Sequence, residues 1–198
     1  NPMIVRITGH TKGIGKCLHD DLVAEGHDVV GYSRSNGFDI STPKSRQLII
    51  EESKQADVFI NCAWPDGDLP MTEPEQFDGQ TEMLKSMIQI WEGNKDKKIL
   101  NLSSKSCYNE SDTTDFMEKY GNAKKEQNKI VENRINVYGP HILNVILGCT
   151  DTQISEYMEG NKIDPNELSK WIIKMLLCET MYFQSVTIDA TQLNYKPK

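Results

Sequence analysis

Short runs of apolar residues alternate along this chain with stretches in which apolar residues recur every three or four positions. The first run covers residues 3–8, and the stretch after it places Ile14, Leu18 and Leu22 on one face of a helix predicted at 14–26. We also predict strands at 28–32, 56–62, 98–102, 141–147 and 186–189, and helices at 42–55, from after 80 to about 91, 115–133 and 165–178.

Strands that alternate with helices predict an α/β fold, in which a doubly wound parallel sheet carries helices on both sides. We expect a single domain over residues 1–198, because a chain of this length can bury about 70% of its unfolded surface. An acidic loop with three prolines, at 64–80, interrupts the alternation. Ligands of such sheets bind at the carboxyl ends of the strands, so residues at those ends are the first candidates for function.

Charge and cysteine content exclude several classes of partner. The formal net charge of −7 argues against nucleic acids and anionic membranes. No segment approaches the roughly 20 apolar residues of a membrane span. The first apolar run is a short strand that ends in glycines, so we expect no signal peptide. The five cysteines are scattered without a C-x-x-C pair and the four histidines are dispersed, which indicates a cytoplasmic protein with reduced thiols and no metal site.

A glycine-rich turn joins the first strand to the first helix, in the sequence Thr8-Gly9-His-Thr-Lys-Gly13-Ile-Gly15. Such a turn lets the backbone approach a dinucleotide pyrophosphate, whose negative charge is stabilised by the helix N-terminus. The alternative is a plain turn between strand and helix. We favour a nucleotide site, because three glycines at these spacings have little other use.

The residues around the second strand bear on which nucleotide binds. An NAD-type site has an acidic residue after this strand, which accepts hydrogen bonds from the ribose 2′-hydroxyl. This chain carries Ser33 and Arg34 instead, and Lys12 stands just before Gly13. Two cations near the ribose suit a 2′-phosphate, so we predict NADP (NADPH) as the cofactor. The alternative is that both are solvated surface cations.

Tyr120 and Lys124 stand four residues apart on the helix predicted at 115–133. This spacing places both side chains on one face, about 5–6 Å apart at their β-carbons. A phenol with its ordinary pKa of about 10 is a poor acid or base near neutrality, but a nearby ammonium lowers that pKa. The pair therefore predicts proton transfer, although such pairs are also common by chance on a lysine-rich helix.

These features follow one another in a definite order. The glycine turn is followed by Asp39, by Asn61-Cys-Ala63 after a buried strand, by Ser103-Ser104 after the next strand, and by Tyr120-x-x-x-Lys124. With Leu147-Gly148-Cys-Thr-Asp-Thr152 further on, the chain resembles the short-chain dehydrogenase/reductase family over nearly its whole length. The resemblance implies a Rossmann-like, three-layer α/β/α fold that binds a nicotinamide cofactor.

The resemblance also implies roles for individual residues. Ser104 would hold the substrate oxygen, Tyr120 would exchange a proton with it, and Lys124 would lower the pKa of the phenol and bind the nicotinamide ribose. Asp39 would bond the adenine amino group, or else cap a helix beside Ser41. The predicted cofactor-binding residues are Gly9, Thr11, Lys12, Gly13, Ile14, Gly15, Ser33, Arg34, Asp39, Asn61, Ala63, Tyr120, Lys124, Gly148, Thr150 and Thr152, of which Thr152 could instead cap a short helix.

The chain departs from the family pattern in four ways. Trp64 stands where the family has a glycine, and segment 78–82 offers no clear counterpart of the family's helix asparagine. Ser104 precedes Tyr120 by 16 residues, more than is usual. Ser103 is the alternative serine and Cys107 stands nearer the usual distance from Tyr120, but Ser104 is preferred because it lies directly beyond the strand at 98–102. The segment near 150–165, which forms the substrate lid in the family, is reduced.

We therefore expect an NADP-dependent oxidoreductase that acts on a small carbonyl or alcohol substrate. One alternative is an NADPH-binding sensor module without catalysis, and another is a non-redox relative such as an epimerase or dehydratase. Charged residues crowd the outer face of the helix at 115–133, where members of this family often pair. A monomer or a weak homodimer is therefore expected.

Overall fold

The apolar runs of the sequence form one parallel sheet of six strands. The computed structural model describes residues 1–64, 74–108, 115–152, 155–156 and 158–197. The strand order is β2-β1-β3-β4-β5-β6, and every neighbouring pair is parallel. The strands are β1 (Ile4–Thr8), β2 (Asp28–Tyr32), β3 (Val58–Asn61), β4 (Lys98–Ser104), β5 (His141–Leu147) and β6 (Ser185–Ile188).

Five helices connect the strands and cover both faces of the sheet. They are α1 (Gly13–Ala24), α2 (Pro43–Ser53), α3 (Pro74–Ile90), α4 (Asp115–Glu132) and α5 (Pro165–Leu176). Helices α1 and α5 contact each other on one face, while α3 contacts both α2 and α4 on the other. This arrangement is the Rossmann-like α/β/α fold, so the predicted fold class is confirmed.

Each face of the sheet has its own apolar core. On the α1 and α5 side, Val5, Ile7, Val58 and Ile60 from the strands pack against the two helices. On the opposite side, Phe59 and Ile99 pack against side chains of α2, α3 and α4. Strands β3 and β4 are thus buried on both faces, which explains their nearly continuous apolar sequence.

The type of each element agrees with the prediction, but some boundaries differ. Helix α3 begins at Pro74, not after residue 80, so the acidic loop is shorter than the sequence indicated. Proline is compatible with the first turn of a helix, where its missing N–H has no partner to lose. Strand β4 extends to Ser104, two residues beyond its predicted end. The remainder of the predicted acidic loop, 65–73, lies outside the described residues.

None of the described helices combines the length and the apolar character needed to cross a bilayer. The longest of them, α4, carries exposed charged side chains along its outer face.

Candidate active site

The glycine turn brings three chain segments into close contact at the carboxyl end of the sheet. Gly9 has a positive φ of 74°, and a β-carbon there would lie 2.7 Å from the α-carbon of Ala63. A β-carbon on Gly15 would lie 2.0 Å from the carbonyl oxygen of Gly9. Only glycine permits these approaches, which pack the start of α1 against the turn and the end of β3.

Helix α1 begins without a side-chain cap. Its N-cap, Lys12, is extended and makes no capping hydrogen bond through its side chain. The other two helices with described caps, α2 and α5, are capped by the side chains of Thr42 and Asp164. An N-terminus without a side-chain cap leaves backbone N–H groups for another acceptor, and an anion is the favoured one.

The other residues predicted around this turn lie at its surface or beside it. Thr11 and Lys12 are exposed, and Ile14 packs partly into the core beneath α1. The methyl group of Thr152 would lie 3.5 Å from a β-carbon on Gly13, so the structure brings Thr152 to the glycine turn.

The chain after β2 turns sharply next to the same site. The Gly9 N–H donates to the carbonyl oxygen of Tyr32 at 2.9 Å, which joins the glycine turn to the end of this strand. Ser33 then starts a short 3₁₀ turn, in which its N–H donates to Oδ1 of Asn36 at 2.7 Å. Arg34 follows on the exposed side of this turn.

Asp39 stabilises the turn that leads into α2. Its Oδ1 accepts hydrogen bonds from the Ser41 N–H at 2.9 Å and the Ser41 hydroxyl at 2.7 Å. The cap of α2 itself is Thr42, whose hydroxyl accepts from the Ser45 N–H. One carboxylate oxygen of Asp39 therefore holds the turn before α2 without capping the helix, and a contact with adenine stays a prediction.

The end of β3 is fixed to β1 by a single hydroxyl group. The Thr8 hydroxyl accepts hydrogen bonds from the N–H groups of Cys62 and Ala63, both at 3.1 Å. Ala63 is thereby held against Gly9, and the next residue, Trp64, is directed towards α4. The glycine turn and α4 are thus linked through two consecutive residues, Ala63 and Trp64.

Ser104 and Tyr120 come together at the end of β4. The Ser104 hydroxyl acts on the phenol of Tyr120, and it donates to the Ser106 hydroxyl and accepts from the Ser106 N–H, both at 3.1 Å. Ser103 instead donates to Oδ1 of Asn128 at 2.8 Å in the interior. Cys107 is buried and accepts from the side-chain amide of the same asparagine. Of the three alternatives, Ser104 has the geometry for acting beside Tyr120.

The Lys124 amine is buried beneath the tyrosine. It donates to Oε1 of Gln80 at 2.5 Å and to the carbonyl oxygen of Leu102 at 2.8 Å. The nitrogen also lies 5.3 Å from the centre of the Tyr120 ring and 5.1 Å from that of Trp64. The predicted neighbourhood of phenol and amine is therefore present, but the amine faces the core of the protein.

Burial dominates the electrostatics of this pair. Burial lowers the pKa of Lys124 to about 7. Burial also raises the pKa of Tyr120, and the nearby Ser104 hydroxyl offsets only part of that rise. Removal of solvation favours the neutral form of each group, and the expectation that Lys124 lowers the pKa of the phenol stays a prediction.

Trp64 covers the tyrosine and the lysine. Its ring meets that of Tyr120 edge-on, with centres 4.7 Å apart, and its indole Nε1 is buried with no hydrogen-bond partner among the described residues. Phe77 and Phe116 complete a cluster of four aromatic rings. The indole thus covers one side of the Tyr120 ring.

A network of buried amides lies below these residues, and sequence reasoning missed it. Asn61, Asn101 and Asn144 are paired in register on β3, β4 and β5, and each donates to the next at 2.9 Å. Gln80 on α3 joins this network to Lys124. The signal was available, because each asparagine interrupts an otherwise apolar strand. Gln80 also lies in the segment where no counterpart of the family's helix asparagine was recognised.

The predicted lid segment is held by the C-terminal part of the chain. Thr150 forms a bridge with Ile163, and the side-chain amide of Gln192 bonds both backbone groups of Asn161. Gly148 lies against Asp189, whose carboxylate pairs with Lys105. Over the described part of the chain, no group of three histidine, cysteine or acidic residues could hold a metal ion.

The fold is similar to that of several solved enzymes. A short-chain dehydrogenase from Burkholderia cenocepacia in complex with NADP has a TM-score of 0.73 at 18% identity, over 96% of this chain and 89% of that one. A 3-alpha-hydroxysteroid dehydrogenase from a Pseudomonas species, complexed with NADH, has 0.75 at 16%, over 93% and 94%. A ribose-5-phosphate isomerase from Brucella melitensis has 0.75 at 19%, over 98% and 93%. At these identities the likeness shows the fold alone.

A family model supplies the assignment that the structural likeness cannot. No curated protein matches the chain. The model of the NAD dependent epimerase/dehydratase family matches residues 5–188, from β1 to the last residue of β6. The chain therefore belongs to the NAD-dependent epimerase/dehydratase family.

Proposed function

We propose that the protein is an NADP-dependent oxidoreductase that transfers a hydride between nicotinamide and a small carbonyl or alcohol substrate. The observation that carries this proposal is a series of contacts that connects the glycine turn, where the nucleotide would bind, to Tyr120, which would exchange the proton. Ala63 packs on Gly9 of the glycine turn, and the adjacent Trp64 packs on Tyr120. A nucleotide bound at the turn is thereby close to a tyrosine that has a serine partner and a buried lysine.

The residues of the turn fit a dinucleotide. Bare backbone at Gly9 and Gly15, together with an α1 N-terminus that has no side-chain cap, provides room and N–H donors for a pyrophosphate. Thr152, beside Gly13, is a further polar group at this position. The family description and the two dehydrogenases that bind NADP and NADH support a nicotinamide cofactor, which would supply the hydride.

The roles of the three catalytic residues follow from their contacts. Ser104 would donate to the substrate oxygen, and Tyr120 would give that oxygen its proton as hydride arrives at the carbon. Lys124 would stabilise the phenolate once it forms, because its nitrogen lies over the same ring. Since the pKa of Lys124 is near 7, its positive charge is available at and below neutral pH.

The central test is the Tyr120→Phe variant. We expect it to abolish NADPH consumption with a panel of aldehydes, ketones and quinones, while NADPH still binds with unchanged affinity in a fluorescence titration. Retained turnover would remove Tyr120 from the mechanism. Tyr138→Phe is a suitable control, since this tyrosine is exposed in the turn before β5.

The preference for NADP is tested at the two exposed cations. We expect NADPH to bind at least about tenfold more tightly than NADH, since a bidentate contact with a phosphate contributes energy of this order. The Arg34→Ala and Lys12→Ala variants should each lose most of this preference while NADH affinity changes little. Equal affinities of the unchanged protein for the two nucleotides would contradict the assignment.

A non-redox reaction, such as an epimerisation or dehydration, is the second candidate. The family model favours it, because the family is described as epimerases and dehydratases. Product formation without net change in the nucleotide would indicate this reaction. Tight NADPH binding without any turnover would instead indicate the third possibility, a sensor module, which the covering position of Trp64 favours.

A further inference from the structure

The hydrogen-bond acceptor of the buried Lys124 amine is held in one orientation. The Gln80 side chain donates through Nε2 to the carbonyl oxygens of Asn61 at 3.0 Å and Leu102 at 3.1 Å. Its Oε1 is thereby directed at Lys124. Turning the amide over would lose two hydrogen bonds and would bring two donors together, so this oxygen stays towards the amine.

The surroundings of Gln80 are rigid. The residue is completely buried, and its backbone carbonyl accepts from the Asn61 side chain at 2.9 Å. Asn61 in turn donates to Asn101 on the neighbouring strand. The acceptor of Lys124 is thus connected to the centre of the sheet, and it is fixed independently of any loop.

The groups that face the amine carry no permanent charge. The titratable groups that act on Lys124 are the thiols of Cys62, after β3, and Cys107, after β4, and the phenol of Tyr120 lies one helical turn away. Burial raises the pKa of Cys62 to about 12, so that thiol is neutral near pH 7. No carboxylate acts on Lys124 in the part of the chain that the structure describes.

We propose that Gln80 is the positioning residue of Lys124: its amide oxygen holds the amine beneath the Tyr120 ring and leaves it free to gain and lose a proton. A carboxylate in this position would hold the amine permanently charged, whereas an apolar side chain would neither direct it nor stabilise its charge. The consequence for catalysis rests on the proposed function, but the effect on the protonation of Lys124 does not.

The test is a pH titration of the Lys124 ε-carbon by NMR in the intact protein, with the signal assigned through Lys124→Arg. The Gln80→Glu variant adds a negative partner, so the pKa of Lys124 should rise by at least about two units. The Gln80→Met variant removes an acceptor that favours the charged form, so the pKa of Lys124 should fall. Shifts of opposite sign are not expected from a residue that only supports the fold.

Gln127→Met is the matched control. Gln127 is equally buried in the same network, but it donates to Gln80 and Thr81, and it is not among the acceptors of Lys124 in the described part of the chain. This variant should leave the titration of Lys124 within a few tenths of a pH unit. If Gln80→Glu and Gln80→Met leave the titration unchanged, or if Gln127→Met shifts it as much as they do, the proposal is wrong.

Two further measurements keep the result interpretable. If a Gln80 variant fails to fold, Gln80→Asn retracts the oxygen by one methylene and should shift the pKa of Lys124 in the same direction as Gln80→Met. Where a substrate is found, the pH profile of kcat should move with the NMR titration. If the protein without substitutions shows no turnover, the proposed oxidoreductase activity is wrong. The NMR titration still decides the role of Gln80 in that case.

Discussion

Lys124 has no anionic partner among the described residues of the candidate site. Its two acceptors are neutral, and aromatic rings lie beside it. Its pKa therefore depends mainly on how well it is shielded from water. Trp64 is one of the residues that can shield it, since the centre of its ring lies 5.1 Å from the amine nitrogen.

Replacing Trp64 by glycine, the residue that the family has at this position, should admit water to Lys124. We expect the pKa of Lys124 to rise towards its ordinary value, because burial is what lowers it. The same NMR titration measures the change. Trp171→Gly is the control, since this indole is exposed on α5. An unchanged titration in Trp64→Gly would show that the indole does not shield the amine.

Individual residues also account for what the sequence left open. It offered Ser103 as an alternative serine to Ser104, and Cys107 because it stands nearer the usual sequence distance from Tyr120. Alternation along β4 and its extension to Ser104 turn Ser103 into the interior and leave Ser104 beside the phenol. The choice among them depends on strand register, which local sequence spacing does not determine.

At the scale of elements, helix ends follow the sequence closely. Asp164 and Pro165 predicted the start of α5, and the structure has Asp164 as N-cap, with its carboxylate accepting from the Asn166 N–H at 2.9 Å. Helix α3 was less predictable. Its first turns are polar and acidic, so the apolar periodicity begins later than the helix does.

The Asp164→Ala variant should destabilise the protein by about 1 kcal/mol, the usual contribution of a side-chain N-cap. The effect should be visible as a lower urea midpoint with an unchanged m-value. Lys170→Ala, at an exposed position of the same helix, should change stability by less than about 0.5 kcal/mol. Equal effects of the two substitutions would mean that the cap contributes nothing.

At the scale of the whole molecule, the buried lysine links stability to pH. Its pKa is about 7 in the folded protein and about 10.4 when unfolded, so between these values the unfolded chain binds more protons. Stability therefore rises with pH in this window. Each unit of difference corresponds to about 1.4 kcal/mol, so the effect is on the order of a few kcal/mol.

Urea unfolding at several pH values from 6 to 9 measures this effect. Lys124→Met should be more stable than the unchanged protein at pH 7, and the difference should shrink as pH rises, because the unchanged protein loses its buried charge. Taking the difference cancels the opposite contribution of Cys62 and Tyr120, whose pKa values burial raises. A difference independent of pH would contradict a buried amine that titrates near neutrality.

The outer face of α4 bears on assembly. Lys125, Glu126, Lys129 and Glu132 are exposed there, and Glu126 pairs with Lys85 of α3 at 2.8 Å. Such a face is poorly suited to a dry interface. A monomer or weak homodimer, the single-domain organisation and the cytoplasmic location stay predictions, and sedimentation at several concentrations would test the first.

The sequence by itself determined the order and type of the elements, and which of its candidate residues gather at the carboxyl end of the sheet. These properties follow from local periodicity, glycine positions and caps, which neighbouring residues in the chain decide. The tertiary structure alone decided that Lys124 faces Gln80, that Trp64 covers it, and that three asparagines align across the sheet. Burial and hydrogen bonding between distant segments set these features, so the protonation of the site could not be deduced from the spacing of Tyr120 and Lys124.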